Sequence, residues 1–104
     1  MKIPFDVNLS GKTAIVTGGS GTLCSAMAYG LAVSGASVAL IGRNRDKMSQ
    51  VISNLTQQAA DEQNISTVIR GYTCNVTDKS SLISTYETIR AELGSCDILI
   101  NGAG

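Results

Sequence analysis

Four short apolar runs are spaced along this chain, and a stretch with helical periodicity separates each from the next. The runs are Lys12–Thr17 (KTAIVT), Ser37–Ile41 (SVALI), Thr67–Thr73 (TVIRGYT) and Asp97–Asn101 (DILIN). Short apolar runs rich in β-branched residues and bounded by glycine or polar residues read as buried strands. Between the first two, Thr22–Ser34 carries Leu23, Met27 and Leu31 at i, i+4 and i+8, with small residues between them and Gly35 as a stop. Asn44 is a candidate N-cap for a second helix running to about Gln63, with Met48, Val51, Ile52 and Leu55 as its apolar stripe. Thr77 is a candidate cap for a third helix, with Leu82, Ile83, Tyr86, Ile89 and Leu93 on one side.

The order βαβαβαβ leaves few topologies. A helical crossover between buried strands makes the strands parallel and the connections right-handed. The expected class is therefore α/β, a Rossmann-type doubly wound parallel sheet. Only its first half is present, with strand order 3-2-1-4. The chain has 104 residues, so residues 1–104 are read as one domain. In such sheets ligands sit beyond the carboxyl ends of the strands, where the strand order reverses. That crevice lies between the first and fourth strands. The first ends in TGGSG (Thr17–Gly21) and the fourth in NGAG (Asn101–Gly104).

A glycine-rich strand-to-helix turn suits a pyrophosphate. Glycine gives backbone freedom and close approach, and a helix N-terminus presents N–H groups and positive dipole. Gly18, Gly19, Ser20 and Gly21 supply the turn, with the Leu23 amide expected on the phosphate side.

The rest of the composition narrows the chemistry. Eight basic residues balance eight acidic ones, and no basic run points to nucleic acid or an anionic membrane. No apolar run approaches the roughly 18 residues of a membrane span. There is no histidine, which removes histidine-based catalysis and histidine-ligated metal from these residues. The three cysteines form no C-x-x-C pair and read as reduced thiols, and the N-terminus lacks a secretory pattern, so a cytoplasmic location is expected.

The segments LSGKTAIVTGGSGTLCSAMA and DILINGAG together resemble the short-chain dehydrogenase/reductase family, over nearly the whole chain from about Leu9. That family's signatures are T-G-x-x-x-G-x-G and N-N-A-G. Thr17 and Gly18 match the start of the first. Thr22 and Cys24 stand where its later glycines would be, and Gly21 is one place early. Asn101, Ala103 and Gly104 match the second, with Gly102 replacing its second Asn. The variant also resembles the bacterial D-mannonate (fructuronate) oxidoreductase branch. The resemblance implies an NAD(P)-dependent oxidoreductase moving hydride between nicotinamide and a carbonyl or alcohol substrate, and the finer resemblance implies a sugar acid as that substrate. It also implies a homo-oligomer for the full-length protein, with a small molecule as its partner.

The same resemblance implies the cofactor contacts: Gly18, Ser20, Gly21, Thr22 and Leu23 at the pyrophosphate, and Asn101, Gly102, Ala103 and Gly104 on the nicotinamide-ribose side. NAD-binding members carry an acid at the end of the second strand. Here that place is Gly42, followed by Arg43 and Asn44. A glycine leaves room for a 2′-phosphate and a guanidinium can bind it bidentately, so NADP(H) is preferred, with NAD(H) open. Asn75 replaces the family's adenine-binding Asp, and Val76 would keep the backbone contact to the ring. The Asn101 side chain is open to a purely structural role.

The family's catalytic Ser and Tyr-x-x-x-Lys lie beyond Gly104. Tyr29, Tyr72 and Tyr86 are followed four residues later by Val33, Val76 and Arg90, so none can stand in. The chain is therefore expected to be the cofactor-binding part of a longer enzyme, inactive alone. A dinucleotide-binding module without catalysis, or an interaction fragment pairing through its fourth strand, stays as the alternative.

Overall fold

The structure, a computed structural model, describes residues 9–18, 22–63, 68–75 and 77–102, with the side chains of residues 22, 23, 62 and 63 also outside the description. Strands β1 (Thr13–Thr17), β2 (Ser37–Gly42), β3 (Val68–Thr73) and β4 (Ile98–Asn101) alternate with helices α1 (Thr22–Val33), α2 (Arg45–Gln63) and α3 (Lys79–Leu93). All pairings are parallel and the sheet order is β3-β2-β1-β4, as the alternation requires.

Strand alternation sorts side chains onto two faces. Ala14 and Val16, Val38 and Leu40, Ile69, and Ile98 and Ile100 pack with α1 and α2. Ile15, Ala39 and Ile41 pack on the other face with α3. β1 is buried along its whole length, as expected of a central parallel strand.

The α1 stripe differs from the sequence expectation. Its buried face is Cys24, Ala28, Tyr29 and Ala32, while Met27 is exposed and Leu31 half-buried at the rim. Small residues let the helix approach the sheet, and the larger ones are left to flank the contact. In α3, Ile89 is buried and Leu82 and Leu93 pack beneath it, but Ile83 and Tyr86 are exposed.

The α3 cap also differs. Asp78, not Thr77, is the N-cap: its Oδ1 accepts from Ser80 N at 3.1 Å and Ser81 N at 3.4 Å. A carboxylate there also meets the positive end of the helix. Thr77 instead donates to Asn75 Oδ1 from both its N (3.1 Å) and its Oγ1 (2.6 Å). Asn44 caps α2 as expected, accepting from Lys47 N at 3.0 Å. Gly35 ends α1 at φ +107, with Ser10 so close that a Cβ would meet its backbone N at 3.0 Å.

Candidate functional site

β1 and β4 lie side by side with their connections on opposite faces, so the strand order reverses between them. The carboxyl end of this pair is tied by side chains. Thr17 and Asn101 are register partners. Thr17 Oγ1 donates to Asn101 Oδ1 at 2.9 Å. Gly102 N donates to Thr17 O at 3.1 Å and is shared with Thr17 Oγ1 at 3.2 Å. The Asn101 carbonyl oxygen is thus engaged in holding the two strand ends together, the structural role left open above.

Gly18 follows at φ +71, its N donating to Ile41 O at 3.0 Å, so β1 and β2 stay paired to the start of the turn. A positive φ here suits glycine. Ser20 and Gly21 lie outside the described residues. Thr22 and Leu23 open α1, and the first amides of any helix lack intrahelical acceptors. Gly18, the start of α1 and the end of β4 thus converge at the switch point.

Beyond β2, Gly42 is half-buried with Met48 behind it; a Cβ placed there would stand 3.2 Å from Met48 Sδ. Arg43 is exposed beside it, and Asn44 is engaged as the α2 cap. Arg45 and Lys47 add two exposed cations on the first turn of α2, beside the exposed Asp46. Beyond β3, Asn75 is exposed, and its side-chain oxygen already accepts twice from Thr77. A carbonyl oxygen has two lone pairs, so the adenine contact that the resemblance assigns to it competes with this local turn. Val76, Ala103 and Gly104 lie outside the described residues.

The structure adds two residues that sequence reading assigned no role at the crevice. Thr17 is the hydrogen-bonding hub, a role that follows from its parallel register with Asn101. Met48 backs Gly42, the position where the resemblance places the choice between NAD and NADP, and its spacing alone marks it only as part of the α2 stripe. Among the described residues no cluster of metal-ligating side chains occurs, and no helix is long and apolar enough to cross a membrane.

The short chain dehydrogenase family model matches residues 12–104. The chain belongs to this family. An uncharacterized oxidoreductase, UxuB, of Bacillus subtilis is 41% identical over 102 residues, covering 98% of this chain and 34% of that protein. A Haemophilus influenzae structure described as a D-mannonate oxidoreductase with bound NAD is 34% identical, with TM-score 0.81, over 94% of this chain and 32% of that one. The L-sorbose reductase of Gluconobacter frateurii, complexed with NADPH and L-sorbose, is 28% identical, with TM-score 0.82, over 96% and 36%. This short-chain dehydrogenase sequence spans about a third of the length of these relatives. Their cofactors include both NAD and NADPH, and membership of an oxidoreductase family does not favour the non-catalytic alternative.

Proposed function

We propose that this chain supplies the dinucleotide-binding part of an NADP(H)-dependent oxidoreductase that moves hydride between C4 of nicotinamide and a sugar-acid carbonyl. One observation carries the reading: Gly18, at positive φ just past β1, and Gly102, just past β4, meet at the point where strand order reverses. The pyrophosphate lies over the start of α1 at Gly18, Ser20, Gly21, Thr22 and Leu23. The nicotinamide ribose lies toward Asn101, Gly102, Ala103 and Gly104. The adenine lies by the backbone of Asn75 and Val76. Arg43 takes the 2′-phosphate, with Asn44 beside it. The absence of a carboxylate at Gly42 and the exposed guanidinium next to it support NADP(H) over NAD(H). The substrate class rests on the Haemophilus relative, described as a D-mannonate oxidoreductase.

The experiment is NADPH oxidation by the full-length protein with fructuronate and related keto acids, together with NADPH and NADH affinities for wild type and Arg43→Ala. A lost charge-assisted contact is worth roughly 1.5–3 kcal/mol, so Arg43→Ala should weaken NADPH by about tenfold or more and leave NADH nearly unchanged. Tighter binding of NADH than NADPH by the wild type would favour the second reading, NAD(H), which the NAD-bound Haemophilus structure supports.

A further inference from the structure

Gly102 has no side chain, and the structure shows what fills the space where one would begin. A Cβ at Gly102 would run into Cys24 Sγ and stand 3.0 Å from Thr17 O and 3.7 Å from Cys24 Cβ. Cys24 is buried in the first turn of α1, and Gly102 is the first residue past β4. A thiol from the helix therefore occupies the position of a side chain on the strand end, across the carboxyl end of β1.

Both sides are constrained. Thr17 O accepts from Gly102 N, while the rest of Thr17 is fixed by its register with Ile41 and Asn101. A helical cysteine has few χ1 choices, because the gauche-plus rotamer meets the preceding turn. The same pairing accounts for two departures from the family signature at once: volume is added at Cys24, where the signature has glycine, and removed at Gly102, where it has Asn.

We infer that Cys24 and Gly102 are a steric pair that sets the spacing between the first turn of α1 and the carboxyl end of β4. Cys24 is then a positioning residue for a ligand that touches both, acting through its volume and not through thiol chemistry. The inference rests on the proposed dinucleotide site, since a pyrophosphate over α1 and a nicotinamide ribose at β4 bridge these two elements.

The test is a double-mutant cycle in the full-length protein: wild type, Gly102→Ala, Cys24→Gly and the double variant, with Cys24→Ser as the conservative replacement. Affinities are read for NADPH and for adenosine 2′,5′-bisphosphate, which carries the adenosine end and its phosphate at α1 but no nicotinamide ribose to reach β4; thermal midpoints are read alongside. Gly102→Ala should weaken NADPH by about tenfold and leave the bisphosphate within about twofold. The double variant should return NADPH to within about threefold of wild type, and Cys24→Ser should match wild type. Additive losses in the double variant, or equal losses for both ligands, would overturn the positioning role. If Gly102→Ala does not fold, recovery of folded protein in the double variant supports the pair and failure to recover it overturns the pair. A wild type that binds neither NADPH nor NADH would contradict the proposed function instead, and non-additive thermal midpoints would still establish the steric pair by itself.

Discussion

The two faces of the sheet are unequal. On the α1/α2 face, thirteen buried residues form one cluster among those described; on the α3 face the cluster has five, and that difference has a visible consequence. Ile15, Ile41 and Thr17 line a groove of about 370 Å³ with Leu82, Tyr86, Leu99 and Asn101 on the α3 face, and Leu99 is 61% exposed there. The strands do not cause the difference, because Leu40 and Ile41 are neighbours on β2, equally apolar, and point to opposite faces. The helices do. Among the described residues, α1 and α2 together cover one face, whereas α3 covers the β2 side of the other and leaves the β4 side open.

The sharpest way to break this comparison is to truncate those two neighbours. Leu40→Ala leaves an enclosed cavity and should cost about 4–5 kcal/mol, the upper part of the range for such truncations. Ile41→Ala opens onto the groove, where the surroundings or solvent can fill the gap, and should cost about 2–3 kcal/mol. Both values come from denaturant unfolding of the chain with unchanged slope. Equal costs would mean that the two faces are equally closed.

The capping of α3, the only helix on the open face among the described residues, sharpens the comparison at a smaller scale. Asp78→Ala removes the acceptor for Ser80 N and Ser81 N and should destabilise by about 1 kcal/mol. Thr77→Ala removes only a turn contact and should cost less than half as much. A larger effect at Thr77 would make Thr77 the cap, as its place in the sequence suggests.

The smallest effect is a titration at the β3 edge. Tyr72 OH donates to Glu92 Oε1 at 2.6 Å, and Arg70 Nη1 lies 3.4 Å from the same oxygen. Burial, then the hydrogen bond to Glu92 and its charge, push the Tyr72 phenol up to about 12. A raised phenol favours the folded state fully below the unfolded value of about 10, and this contribution is lost as pH rises through about 12. Phenolate absorbance should show a Tyr72 component titrating near 12 that Glu92→Gln brings down. An unchanged titration in that variant would remove Glu92 as a cause.

Much of this arrangement was legible in the sequence because it rests on period and punctuation. KTAIVT and SVALI could only be short buried strands between helices, and that alternation dictated the 3-2-1-4 order. Asn44 and Gly35 were readable because capping and helix termination are local chemistry. Face assignment was less legible. Leu23, Met27 and Leu31 have the spacing of a buried stripe, yet Ala28 and Ala32 face the sheet, because closeness of approach outweighed side-chain size. The choice between Thr77 and Asp78 was lost because both residues can cap, and only the backbone path at Asn75 decides. At the crevice, the glycine turn and NGAG were visible as motifs. The contact between Cys24 and Gly102 was not, since it joins residues far apart in sequence through a space that a missing atom leaves.

The central claim is that a dinucleotide lies across the carboxyl ends of β1 and β4. Amide hydrogen exchange of the full-length protein with and without saturating NADPH tests it most directly. The account predicts slowed exchange in residues 18–24 and 101–104, with residues 9–13 and 94–97, at the amino ends of the same strands, unchanged. Absence of protection at 18–24 under saturation, or protection confined to the amino ends, would contradict it.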